Sequence, residues 1–173
     1  MSLQAKVIDS PQVALLCQNH PIYLAHAAKI GTKYPERPLT FRTHALWRSG
    51  AMALEAHGPR TLYLVPEGEE LVRYTATLEQ VCLEPQAEDP EVQALLEGCL
   101  PETRDQGLWE QYGERVRTLY VISHCRELAP PFPYTSLTKV SDEELVDEHY
   151  TYGYVLVYEQ CPACSRSPCH CSG

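Results

Sequence analysis

Apolar and polar residues alternate most clearly between residues 71 and 78, a pattern that is typical of a β-strand with two different faces. A β-rich segment at 61–65 precedes it, and a Pro-Glu-Gly turn separates the two segments, so together they predict a β-hairpin. Segments 117–123 and 152–158 are also rich in β-branched and aromatic residues. We therefore expect these four strands to belong to one strongly bent sheet.

Helical patterns occur in the segments between the strands. Residues 22–30 carry apolar side chains at helical spacing and are followed by Gly31, which predicts a helix that ends at this glycine. Residues 45–56 have a helical composition, and a His-Gly-Pro sequence closes them. The sequence Asp89-Pro90-Glu91 is typical of a helix start, and Gly98 is the predicted stop.

Shorter or less regular segments complete the chain. Residues 5–9 are a candidate strand, and Ser10-Pro11 predicts a helix that continues through 13–17. The prolines of 129–134 predict an extended segment that cannot be a central strand. The Ser-x-x-Glu sequence at Ser141 predicts a short helix. Residues 101–117, with Trp109 and Tyr112, are either a helix or a surface insertion.

Short strands that alternate with helices predict an α+β fold built on a curved sheet or small barrel. At 173 residues and 44% hydrophobic content, the chain is long enough to bury one core. We divide it into a single domain over 1–159 and a cysteine-rich tail over 160–173. No apolar run approaches the roughly 20 residues that span a bilayer, and the N-terminus lacks a signal-peptide core. We therefore expect a cytoplasmic protein that is not inserted in a membrane.

The net charge of −9 argues against broad, salt-driven binding to long nucleic acid, which needs clustered cations. It leaves room for a small pocket that binds one base or nucleotide. The sequence from Gly31 to Arg37 is the best candidate, since it follows the predicted helix and contains Lys33, Glu36 and Arg37. Charged groups at such a chain reversal can converge on a ligand.

The same sequence carries a family resemblance. A helix that ends in Gly-x-Lys-x-x-Glu (Gly31, Lys33, Glu36), followed by the hairpin and a closing strand, resembles the ASCH and EVE domains of the PUA-like superfamily. The pattern departs from the family at its arginine, which stands at Arg37 and is followed by Pro38. The resemblance implies a small, strongly bent β-barrel with flanking helices and a cleft beside the first helix.

Relatives of that kind bind RNA, DNA with modified bases or small nucleosides, so the resemblance implies a nucleic-acid or nucleotide binding module. We expect Lys33 and Glu36 to face a concavity beside the hairpin, with Arg37 or Arg48 available for phosphate. A minority of relatives hydrolyse a modified nucleoside with a Lys and a Glu, which leaves a hydrolase that uses Lys33 and Glu36 as an alternative. Whether the protein is an enzyme is left open. A third hypothesis is a protein-interaction domain with a zinc clip.

Two aromatic residues are further candidates for ligand contact. Trp47 and Arg48 follow His44 at helical spacing, and Trp and Arg are the residue types that stack on bases and hold phosphates. The alternative is that Trp47 anchors the core while Arg48 extends past it. Tyr74 lies on the hairpin, where aromatic residues bind ligand less often than they stabilise the sheet.

Eight cysteines fall into two groups. The isolated thiols at 17, 82, 99 and 125 are predicted to be reduced and buried. In the tail, Cys161 and Cys164 have the C-x-x-C spacing of a zinc knuckle, and Cys169 with either His170 or Cys171 completes a set of four ligands. The spacing of the second pair is cramped, so a reversible disulfide or an unstructured reduced tail are alternatives to zinc.

Overall fold

The computed structural model describes residues 1–108, 115–150 and 153–171. These residues form an α+β fold with one mixed sheet, helices on both of its faces and two short 3-10 helices. Within the segment 101–117, predicted to be a helix or a surface insertion, Pro101–Gln106 form a 3-10 helix, and Trp109 and Tyr112 lie outside the described residues. The helices are α1 (Leu3–Asp9), α2 (Pro21–Lys33), α3 (Arg48–His57) and α4 (Pro90–Glu97), and the strands are β1 (Val13–Asn19), β2 (Leu39–Thr43), β3 (Arg60–Pro66), β4 (Leu71–Leu83), β5 (Thr118–Pro133) and β6 (Tyr154–Tyr158).

The six strands follow the order β2-β5-β4-β3-β1-β6, so the four predicted strands do share one sheet. Strands β1 and β3 run parallel, and the other neighbours are antiparallel. The register between β4 and β5 shifts at three places, and such bulges bend a strand and increase its twist. The sheet is not closed, because β2 and β6 remain its two edges. The predicted α+β fold with one shared sheet is confirmed, and the predicted barrel is not.

Two sequence-based assignments near the N-terminus are wrong. The predicted strand at 5–9 is helix α1, which Ser2 caps by accepting a hydrogen bond from the amide of Ala5. The predicted helix at 13–17 is strand β1, whose residues from Val13 to Cys17 are all buried. A strand that is covered on both faces is apolar throughout, so its sequence lacks the alternation that marks a half-exposed strand.

The two faces of the sheet are covered differently. On the helix face, α1, α2 and α3 bury Val7, Leu24 and Ala53 against strand residues such as Leu15 and Leu62. On the second face, strand residues pack against the segment 134–150. Helix α4 covers the N-terminal end of β5, where Val92 clusters with Leu119. The strand residues of the second face include Ala14, Leu16, Tyr63, Val65, Val72 and Val157.

The segment 134–150 contains a further correction. The helix predicted at Ser141 is absent, and turns take its place. The amide of Lys139 donates to the carbonyl of Glu144 at 2.8 Å, and the amide of Val146 donates to that of Leu137 at 2.9 Å. These two bonds within the segment form a small hairpin-like loop that buries Val146. The burial of Val146 outweighs the helix preference of the Ser-x-x-Glu capping sequence.

The prolines of β5 behave as expected. Residues 129–133 are extended and pair with β4 through Leu71 and Val72. Strand β2 pairs only with the first part of β5, from Thr118 to Ile122. The proline-containing end therefore lies at an edge, where missing N–H donors cost no ladder bonds.

Helix α2 extends past Gly31 to Lys33, so the glycine is not the predicted stop. A Cβ atom at this position would lie 2.1 Å from the carbonyl oxygen of Cys125 and 2.8 Å from its nitrogen. Gly31 is therefore required by the close approach of α2 to the backbone of β5, rather than by a helix terminus.

Replacing Gly31 with Ala is expected to lower the free energy of unfolding by about 1–3 kcal/mol, because a backbone contact cannot move aside as a side chain can. Urea unfolding measures this. Ala25→Ser on the exposed side of the same helix is the control, and it should change stability little. Equal midpoints for the two variants would show that the helix and strand are not held at this distance.

Candidate metal centre

The tail leaves the sheet at the end of β6 and turns back over its second face. The amide of Glu159 donates to the carbonyl of Gln12 at 2.7 Å, and the amide of Gln160 donates to the hydroxyl of Tyr63 at 2.9 Å. A turn follows, in which the amide of Ser165 donates to the carbonyl of Cys161 at 2.8 Å. These bonds hold the backbone on either side of the Cys161-Pro-Ala-Cys164 sequence in place.

Ser167 anchors the other half of the tail. Its side chain is buried, donates to the carbonyl of Tyr158 at 2.5 Å and accepts from the amide of Thr138 at 3.0 Å. The hydroxyl of Thr138 in turn donates to the carbonyl of Ser167. Ser167 therefore ties the tail to β6 and to the segment 134–150 at once.

Between these two anchors, four sulfur atoms come together. The Sγ atoms of Cys161, Cys164, Cys169 and Cys171 all lie within 4.8 Å of one another. Cys164 and Cys169 are separated by 3.9 Å, and the amide of Cys171 donates to the sulfur of Cys169 at 3.2 Å. In a tetrahedral site with Zn–S bonds of about 2.3 Å, the sulfurs lie about 3.8 Å apart. A small contraction therefore suffices for the cluster to hold a metal ion.

The fourth ligand in this cluster is Cys171 rather than His170. All four cysteines are free thiols. The predicted ligand set Cys161, Cys164, Cys169 and Cys171 is thus brought together by the fold, including the cramped second pair.

Hydrogen bonds inside the cluster favour one thiolate. Donation from the thiol of Cys169 and from the amides of Cys164 and Ala163 lowers the pKa of Cys161 to about 6. Hydrogen bonding with neighbouring thiols raises the pKa of Cys169, and it raises that of Cys171 to about 12. Removing further protons places like charges side by side, and a bound cation offsets that repulsion.

The remaining cysteines behave as isolated core thiols. Cys17, Cys99 and Cys125 are buried, as predicted, and Cys82 is half-buried. Burial raises the pKa of Cys17 and that of Cys125 to about 12 each, so both are neutral thiols at physiological pH. Cys125 is buried, whereas its neighbour His124 is exposed and its ring hydrogen-bonds with the hydroxyl of Ser123.

The predicted ligand segment lies beside β5 and is exposed. Lys33, Glu36 and Arg37 are all exposed, and the carbonyl of Pro35 accepts a hydrogen bond from the amide of His124 at 2.6 Å. The ammonium of Lys33 lies 5.2 Å from the ring centre of Tyr34. In the described part of the chain, Lys33 and Glu36 form no ion pair with each other.

The hairpin borders a cavity, but Lys33 and Glu36 are not among the residues that line it. A cavity of about 550 Å³ on the second face of the sheet is lined by Tyr63 and Thr75 of the hairpin, together with residues of β5 and the tail. Gly31 of the candidate segment instead packs on the helix face, against the backbone of Cys125.

The two aromatic candidates belong to the core. Trp47 is 1% exposed and stacks on Tyr120 at 4.3 Å between ring centres. It precedes α3 as its N-cap residue, so His44, Trp47 and Arg48 do not share a helical face. Tyr74 is buried in the same core cluster. Trp47 and Tyr74 are therefore buried core residues, whereas Arg48 is exposed.

The sequence interpretation missed two features. Ser167 and Thr138 hold the tail, but neither type is distinctive in a loop. His26 and Glu102 form a side-chain pair at 2.7 Å although 76 positions separate them. No local pattern connects residues so far apart.

Comparison with known proteins identifies no relative: no family model matches the chain, and neither do curated proteins or solved structures. Within the described ranges, no helix is both long and apolar enough to cross a membrane.

Ser167→Ala is expected to weaken metal binding by about 10–100-fold, because residues that orient metal ligands contribute on that scale. The variant removes both side-chain bonds that tie the tail to Thr138 and Tyr158. Competition with a chromophoric zinc chelator measures the affinity. Ser165→Ala, an exposed position in the same tail, should match the unmodified protein. Equal affinities for all three proteins would show that the tail anchor does not support the cluster.

Proposed function

We propose that this chain is a zinc-binding protein in which a four-cysteine centre fastens the C-terminal tail over the second face of the sheet. The observation that carries the proposal is the convergence of four sulfurs within 4.8 Å. Zinc is the choice because a compact set of four thiolates is the usual ligand set of structural zinc sites. A disulfide in the tail is the competing interpretation.

The role we assign to the metal is structural. Four cysteines fill a tetrahedral shell and leave no position for water or substrate. Among the described residues of the tail, only Ser167 is buried, so little burial holds this segment in place. A metal ion supplies the cross-link that holds such a short segment in one conformation.

The full chain, purified in reducing buffer, is expected to contain one zinc ion per molecule by elemental analysis. The double variant Cys164→Ser/Cys171→Ser should contain none, because two of the four thiolate ligands are lost. Cys82→Ser is the matched control, since this thiol lies in β4, outside the cluster, and zinc content should be unchanged.

The pH dependence gives a second check. Zinc should be released as the pH falls, because protons compete for the thiolates. Zinc in neither the full chain nor the control, or equal zinc in the double variant, would disprove the metal centre.

A second candidate function is the binding of RNA, modified DNA or a small nucleotide-like ligand. It is favoured by three exposed cations, Lys33, Arg37 and Arg48, whose side chains form no hydrogen bond or ion pair with the described residues. The resemblance of the sequence at Gly31, Lys33 and Glu36 to ASCH and EVE domains supports the same role, although the sheet is open where the resemblance implies a barrel. A hydrolase that uses Lys33 and Glu36 would additionally need these two residues to converge on the substrate.

The double variant Lys33→Ala/Arg48→Ala tests this second candidate. Its melting temperature should stay close to that of the unmodified protein, since exposed charges contribute little to folding. Its affinity for nucleotides and short oligonucleotides should fall, because two phosphate-binding cations are lost. Lys29→Ala on the same helix is the control. Unchanged affinity for every oligonucleotide that the unmodified protein binds would contradict a role for these residues.

A further inference from the structure

A cleft lies between the second face of the sheet and the cysteine cluster. Its volume is about 550 Å³, within the range of small-molecule sites, which is about 300–1,000 Å³. Tyr63, Thr75 and Phe132 line it from the sheet, and Cys161 and Cys169 line it from the tail. The tail that carries the metal ligands therefore also builds one side of the cleft.

The floor of the cleft is apolar and held in place. The rings of Tyr63 and Phe132 meet edge to face, with 5.6 Å between their centres and an angle of 85°. Leu128 adjoins them. The amide of Gln160 donates to the hydroxyl of Tyr63, so the ring is fixed before any ligand arrives. Such a surface favours contact with another flat, apolar group.

Two charged side chains, one carboxylate and one guanidinium, line the cleft. Glu159 accepts a hydrogen bond from the hydroxyl of Thr61, which holds its carboxylate at the cleft. Burial raises the pKa of Tyr63 to about 12, and the negative charge of Glu159 acts in the same direction. The carboxylate of Glu159 therefore interacts electrostatically with the hydroxyl of Tyr63. Arg126 also lines the cleft, and it is exposed.

The balance of these charges is negative once the cluster holds its metal. Four thiolates around a divalent ion carry a net charge of about −2, and Glu159 adds a further negative charge. Arg126 supplies a single positive charge. An anionic ligand would be attracted by Arg126 and repelled by Glu159 and the metal-bound cluster. A cationic ligand would be attracted by both of these negative groups.

We propose that this cleft binds a small organic cation that carries a flat ring. The ring lies against Phe132 and the small part of Tyr63 that remains exposed, and an amidine-like or protonated amine group faces the carboxylate of Glu159. The proposal rests on the zinc centre proposed above, because that centre supplies most of the negative charge. It concerns a site on the second face, distinct from the cations near Lys33.

Three probes of nearly equal shape test the charge: benzamidine (cationic), benzamide (neutral) and benzoate (anionic). NMR titration of the full-length zinc protein should show benzamidine binding most tightly, with shifts in the amide signals of Thr61 and Gln160. Benzoate binding most tightly, or equal binding of all three, would overturn the proposal. So would the absence of binding by benzamidine.

Two variants separate the roles of the charged groups. Glu159→Gln should weaken benzamidine binding by about tenfold or more, because a charge-assisted contact becomes a neutral one while Thr61 can still donate to the amide oxygen. Glu127→Gln, a neighbouring exposed carboxylate outside the lining, is the control. Arg126→Gln should bind benzamidine at least as tightly as the unmodified protein. A loss of benzamidine binding in Arg126→Gln, or no loss in Glu159→Gln, would contradict the assignment.

Elemental analysis of the same samples separates this proposal from the one on which it rests. A protein that contains zinc and fails to bind benzamidine refutes the cleft and leaves the metal centre intact. A protein without zinc refutes the metal centre. If that protein nevertheless binds benzamidine, the cluster is not the source of the negative charge, and the proposal in its present form is refuted.

Discussion

The burial of strand β1 on both faces is the constraint on which the rest of the molecule depends. Its residues from Val13 to Cys17 are buried, with β3 on one side and β6 on the other. Leu15 faces the helices, while Leu16 faces Tyr63 and the segment 134–150. The apolar residues of the second face therefore need shielding from water as much as those of the first, and few helices pack on this face. The chain covers it with a loop and with the tail, and both depend on hydrogen bonds to stay in place.

Much of the sheet could be predicted from sequence, because the hairpin shows local alternation and strands β5 and β6 are rich in β-branched and aromatic residues. Strand β1 could not, since a strand buried on both faces has the uniform apolar pattern of a short helix. The role of Gly31 was equally hidden: a glycine that ends a helix and a glycine that lets a helix touch a strand look alike in sequence. The difference depends on Cys125, which is far away along the chain.

The candidate sites divide in the same way. The cysteine cluster was predictable because its members are close in sequence, and spacing alone brings them near each other. Trp47 and Tyr74 were ambiguous, because aromatic residues serve both cores and ligand sites, and only burial distinguishes the two. The lining of the cleft combines β3, β4, β5 and the tail. Such a combination follows from strand order, which the sequence pattern does not contain.

The tail connects these features physically. Ser167 ties it to β6 and Thr138, Gln160 ties it to Tyr63, and the cysteines lie between these anchors. A metal ion that closes the cluster would fix the distance between the two anchors, and with it the width of the cleft. Tyr63 would then experience both the packing of Phe132 and the charge of the closed centre. The shape of the cleft consequently depends on the conformation of the tail, because the same short segment forms the cluster and lines the cleft.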